Sequence, residues 1–221
     1  MHLPPRVKVC CIASVEEARL AAQAGADVLG LVSAMPSGPG PIPESDIAEI
    51  ADALRGHRET WLLTCLRSPA EIADQWRRCR TTGVQLTDTV DGDGIRELRR
   101  LLPATVLIQV IHVTGPESVA ESLAAAEWAD VLLLDSGNPS LTVKELGGTG
   151  RVHDWSVSAE IVRRSRRPVF LAGGLRGSNA AEALRAVAPT GLDLCSGVRT
   201  DGRLDPAKLA DFMQAVRGGA R

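Results

Sequence analysis

The chain has 221 residues, enough for one large α/β domain with a sizeable core. Apolar residues make up 44% and the formal net charge is −2, so neither a nucleic-acid partner nor a membrane surface is expected. No apolar run approaches the roughly 18 residues of a membrane span. The opening "MHLPPRVKVC" has no hydrophobic stretch of the signal-peptide kind, so a cytoplasmic location is expected.

Taken in order, short apolar runs alternate with helical patterns. The strand candidates are Val7–Ile12, Ala26–Val32, Thr60–Leu66, Gly83–Thr87, Thr105–Val113, Ala129–Asp135, Pro168–Gly173 and Gly191–Gly197. Most are continuously apolar, which suits parallel strands covered on both faces. Between them lie helices with recognisable ends. Ser14 and Glu17 have the spacing of a capping box, and Gly25 stands where that helix should stop. Ser68 and Asp205 stand as caps before Pro69 and Pro206 at the first helical position. Eight such units, without a linker or shift in composition, predict a single (β/α)8 barrel over residues 1–221; the rival is a doubly wound sheet.

Two loops stand out. Ser33–Ser45, after the second strand, carries four prolines and two glycines, so it reads as a restrained loop rather than a helix. Asp135–Trp155, after the sixth strand, is long enough to close over a ligand. In a barrel both belong to the C-terminal face, where active sites lie.

Small-residue turns end three successive strands: "LGGTG" at 146–150, "AGG" at 172–174 and "CSGV" at 195–198. Each alone could serve only a tight turn. Together they match the place where barrels bind phosphate, through bare N–H groups and a helix N-terminus. Cys10 lies near the end of the first strand and Asp135 ends the sixth. Asp135 reads equally as a turn cap or as an acid whose proton is held by partial desolvation. Cys10 reads either as a small buried hydrophobe or as a thiolate base. His112, at the end of the fifth strand, points near the same mouth. The five cysteines (Cys10, Cys11, Cys65, Cys79, Cys195) include no C-x-x-C pair and are odd in number, which fits a reduced compartment without a disulfide framework. The four histidines form no H-x-x-x-H or H-E-x-x-H pattern, so no metal site is expected. Trp61, Trp76 and Trp128 read as packing residues, and the basic run Arg163–Arg167 as a solvated helix end.

"KVCCI", "GVQL", "LLLDS", "GGTGRVHDW", "LAGGL" and "GLDLCSGV" resemble, in order and spacing, the strand-end motifs of the phosphoribosylanthranilate isomerase family of tryptophan biosynthesis. "DGRLDPAKLADFM" resembles its closing helix, so the resemblance spans essentially the whole chain. It implies an isomerase that runs an Amadori rearrangement, aminoaldose to aminoketose, on a phosphorylated sugar amine without a cofactor. By motif position the resemblance makes Cys10 the base and Asp135 the acid. Phosphate contacts fall on Gly148, Thr149, Gly173, Gly174, Ser196 and Gly197, and substrate contacts on Lys8, Gln85 and Arg151. Monomers and homodimers are both compatible with it.

The chain also departs from the family pattern. Cys11 replaces a glycine, Thr87 and Asp88 replace a His-Gly pair, and Cys195 and Arg199 replace a serine and a glutamate. The family's S-x-R element after the second strand, whose arginine meets the anthranilate carboxylate, has no counterpart: Ser33–Ser45 contains no Lys or Arg. Losing such a charge-assisted hydrogen bond costs about 1.5–3 kcal/mol. Arg67 and Arg151 are candidate substitutes. Three readings therefore stay open: the family's own isomerisation, the same chemistry on a different phosphosugar amine, and a sugar-phosphate-binding barrel without catalysis.

Overall fold

The computed structural model describes residues 4–137 and 153–219. Eight parallel strands close into a barrel in sequence order: β1 (Arg6–Val9), β2 (Val28–Val32), β3 (Glu59–Thr64), β4 (Gly83–Leu86), β5 (Val106–His112), β6 (Val131–Asp135), β7 (Val169–Leu171) and β8 (Gly191–Leu194). Helices follow each strand: α1 (Val15–Ala24), α2 (Glu44–Ala53), α3 (Pro69–Cys79), α4 (Gly92–Leu101), α5 (Glu117–Ala125), α6 (Trp155–Arg164), α7 (Gly177–Val187) and α8 (Pro206–Gly219). The barrel reading from sequence is met. Among the described residues, no helix is long and apolar enough to cross a membrane.

The continuous apolar runs are explained by the two layers they face. Val28, Trp61, Ile108, Val110, Leu133 and Phe170 fill the barrel interior. The alternate positions, such as Leu29, Leu62, Ile111 and Leu134, pack outward with the helices. Trp61 is fully buried and meets Phe170 edge-on, with ring centroids 5.3 Å apart. Such a pair contributes about 0.5–1.5 kcal/mol beyond its buried area. Trp61 is thus a core residue, as expected; Trp128 is exposed instead, with the Arg96 guanidinium 4.0 Å above its ring.

Local ends follow the sequence with two exceptions. Ser14 Oγ accepts from the N–H of Glu17, but the Glu17 carboxylate takes the N–H of Ala13 rather than that of Ser14. The capping box is offset by one residue because Glu17 also serves Arg199 and the N–H of Leu204. Ser68 makes no side-chain cap, and Pro69 alone opens α3. Beyond β8 the chain makes a short 3-10 turn (Ser196–Val198) and a small hairpin, β9 (Arg199–Thr200) with β10 (Arg203–Leu204), which the sequence reading did not anticipate. Its two central residues, Asp201 and Gly202, have φ of 50° and 77°, the left-handed conformation that an Asp-Gly pair favours.

Candidate active site

The site starts from two charges inside the strands. Lys8 on β1 and Asp193 on β8 are register partners, and their side chains form an ion pair at 2.9 Å, with Lys8 wholly buried. Burial works against the Lys8 ammonium, yet Asp193 and the neighbouring thiols outweigh it and hold the proton firmly. Burial pushes the Asp193 carboxyl well above the ordinary carboxylate range, against the pull of Lys8. A Cβ at Gly30 of β2 would lie 2.9 Å from Cys10 Sγ and 3.0 Å from Lys8 Nζ, so glycine there leaves the room in which thiol and ammonium meet.

Cys10 follows β1, its N–H donating to Leu194 O at 2.8 Å. The Cys11 S–H donates to Pro39 O at 3.5 Å, and the contact of the Cys11 side chain with Cys10 is the largest influence on the Cys10 thiol. With help from Lys8 it overcomes burial and lowers the thiol's pKa to about 6. Near neutral pH Cys10 is therefore mostly thiolate, the form able to accept a proton from carbon. Cys11 itself is held protonated by its contacts with Cys10 and Cys195 and by burial. Its backbone is left-handed (φ 61°), where glycine is the usual residue. The Arg199 guanidinium, from β9, spans this turn: it donates to the carbonyls of Cys10 and Cys11 and pairs with Glu17.

Above this floor a cavity opens at the C-terminal ends of the strands, where barrels place their active sites. Cys10 and Asp135 both line it. Asp135 is 8% exposed, and its Oδ1 accepts from the N–H of Ser136 at 2.7 Å. Gln85 of β4 lines the cavity too, as do Gly173, Gly174 and Ser196. Gly173 and Gly174 have φ of 86° and 62°, a double left-handed turn that favours glycine at both positions. α7 begins just beyond, and Arg176 at its cap supplies no side-chain acceptor for the first N–H groups. The Ser33–Ser45 loop contributes Met35, Ser37, Gly38 and Pro39 to the opposite wall.

Several residues expected at the site lie elsewhere in the fold. Lys8 does not line the cavity; the closing β1–β8 register buries it against Asp193, so it supports Cys10 rather than touching a ligand. Gly197 also lies off the cavity: a Cβ there would come 2.0 Å from Leu175 O, so this glycine allows the turns after β7 and β8 to touch. His112 hydrogen-bonds the Thr87 carbonyl at 3.0 Å and does not line the cavity. Arg67 donates to Thr89 O on the exposed rim and does not line it either. Gly148, Thr149 and Arg151 lie outside the described residues. Among the described residues, no group of three or more His, Cys, Asp or Glu is arranged to hold a metal ion.

Sequence reasoning missed Asp193 and the Arg199 clamp as parts of the site. A carboxylate inside the apolar run "GLDLC" and a lysine inside "VKV" are each anomalous in a buried strand, and pairing them was the available clue.

The comparisons with known proteins agree with this geometry. Residues 67–215 match the family model described as N-(5'phosphoribosyl)anthranilate (PRA) isomerase. The chain is 33% identical to the N-(5'-phosphoribosyl)anthranilate isomerase of Methanocella arvoryzae, over 96% of this chain and 98% of that one. It is 35% identical to N-(5'-phosphoribosyl)anthranilate isomerase 2 of Methanosarcina mazei, over 96% and 94%. Among solved structures, the phosphoribosyl anthranilate isomerase of Thermotoga maritima superposes with a TM-score of 0.82 at 26% identity, covering 97% of this chain and 99% of that one. A phosphoribosyl anthranilate isomerase in complex with reduced 1-(o-carboxyphenylamino)-1-deoxyribulose 5-phosphate superposes with a TM-score of 0.79 at 25% identity, covering 97% and 99%. By its barrel, its strand-end motifs and these relatives, the chain belongs to the N-(5'-phosphoribosyl)anthranilate isomerase family.

Proposed function

We propose that this chain isomerises N-(5'-phosphoribosyl)anthranilate to the corresponding aminoketose, with Cys10 as base and Asp135 as acid. The carrying observation is that a thiol with a lowered pKa and a carboxyl from strands β1 and β6 open into one cavity, beside the Gly173–Gly174 turn. In the forward reaction Asp135 gives its proton to the ribose ring oxygen, and the ring C1–O bond breaks as the nitrogen lone pair forms a Schiff base. The Cys10 thiolate then takes the proton from C2, leaving an enolamine that tautomerises to the ketose. The phosphate is assigned to the N–H groups at Gly173, Gly174 and Ser196 with the N-terminus of α7, where dipoles favour a dianion. Gln85 is assigned to the substrate's polar groups from the barrel floor.

One observation favours a second reading at the other end of the substrate. The Ser33–Ser45 loop has no cation to meet an anthranilate carboxylate, so the same chemistry on a phosphosugar amine lacking that carboxylate is the competing assignment. Incubation with phosphoribosylanthranilate separates the two. Loss of substrate fluorescence with turnover, abolished in Cys10→Ala, supports the first reading. Phosphate-competitive binding without turnover supports the second.

A further inference from the structure

We infer that Cys11 and Cys195 form a reversible disulfide, an oxidation site in the wall of the catalytic cavity. Two separate strand ends bring them together. Cys11 follows β1 and Cys195 follows β8, and these strands pair in parallel up to Val9 and Leu194. The Cys195 thiol donates to Cys11 Sγ with the sulfurs 2.8 Å apart. A disulfide bond is about 2.05 Å long, so closure needs less than about 1 Å of movement. Both residues line the solvent-open cavity, so a small hydroperoxide can reach them. Cys195 is half-buried, whereas Cys10 and Cys11 are 7% and 5% exposed, which makes Cys195 the first thiol met from solvent.

The oxidant class is a hydroperoxide, and hydrogen peroxide balances the step. The Cys195 thiolate displaces hydroxide from the peroxide and becomes a sulfenic acid, and the hydroxide takes up a proton to leave as water. Cys11 then gives up its proton, its sulfur attacks the sulfenyl sulfur, and a second water departs. Two thiols lose two electrons, and one peroxide gains them. The bond also consumes the Cys11 thiol, whose contact with Cys10 is the largest influence lowering that group's pKa. The oxidised form therefore holds a less acidic Cys10 and isomerises more slowly near neutral pH; this consequence, unlike the bond itself, rests on Cys10 being the base.

Peptide mapping tests the bond. The purified chain is treated with a slight excess of hydrogen peroxide, quenched with catalase, blocked with iodoacetamide and digested by trypsin without reduction. The expected product joins the peptide of residues 9–19 to that of residues 186–199. It forms in the wild type and in Cys10→Ser, is absent from Cys11→Ser and Cys195→Ser, and disappears with dithiothreitol. Full alkylation of both Cys11 and Cys195 after peroxide overturns the inference, as does a link that persists in Cys11→Ser. A mapped link that leaves kcat/KM unchanged upholds the bond and overturns the influence of Cys11 on the Cys10 base. A several-fold fall, reversed by dithiothreitol, supports both.

Discussion

The Cys10 thiol is buried, and an isolated buried thiol resists ionisation; here contact with Cys11 and the Lys8 ammonium reverse that tendency. The consequence is a pH limb. The base proposed here works as thiolate, so kcat/KM is expected to fall as pH drops through about 6, the value to which Cys10 is lowered. A pH profile of kcat/KM with an acid limb near pH 9, the ordinary thiol value, would overturn the assignment. The chain showed that Cys10 stood at a strand end, but not its ionisation. Its acidity depends on Lys8, two residues back, turning inward past Gly30, and on a left-handed Cys11, neither of which follows from spacing alone.

At the scale of elements, the turn after β1 carries competing demands. Cys11 occupies a left-handed conformation that costs an L-residue about 1–2 kcal/mol, and Arg199 holds the turn by its carbonyls. Replacing Cys11 by glycine relieves the first while deleting the side chain whose contact lowers the Cys10 pKa. Cys11→Gly is expected to gain about 1 kcal/mol in urea unfolding and to move the acid limb of kcat/KM above pH 6. Stability unchanged or lowered, with an unmoved limb, would contradict both parts. The β9–β10 hairpin that delivers Arg199 was legible after the fact from Asp201-Gly202. It was passed over because two-residue strands lie below the length at which periodicity speaks. The proline-rich segment was read correctly as non-helical as far as Pro43, because proline acts locally, but its last two residues, Glu44 and Ser45, already belong to α2.

Over the whole molecule, the eight-fold alternation was readable because each βα unit signals itself within about 25 residues, by apolar runs and helix caps. What stayed hidden depends on closure. Lys8 and Asp193 become neighbours only when the last strand docks on the first, so their pairing was not legible in the spacing of either motif. Removing one member of a buried ion pair costs about 3–5 kcal/mol, whereas replacing both by apolar residues of like size is far milder. Lys8→Met is thus expected to lose about that amount in urea unfolding at neutral pH, and Lys8→Met/Asp193→Leu to recover most of it. The deficit of the single variant should shrink as pH falls, because an unpaired Asp193 takes up a proton and ceases to be a buried charge. A Lys8→Met variant as stable as the parent would show that the pair does not hold the seam.

The grip of Arg199 on the carbonyls of Cys10 and Cys11 has a temporal meaning. A nascent chain carries its nucleophilic sulfur near the start, yet the guanidinium that fixes that sulfur's backbone emerges only after β8. The turn that carries Cys10 is thus held from both ends of the sequence, and its backbone is braced only where the last strands lie against the first.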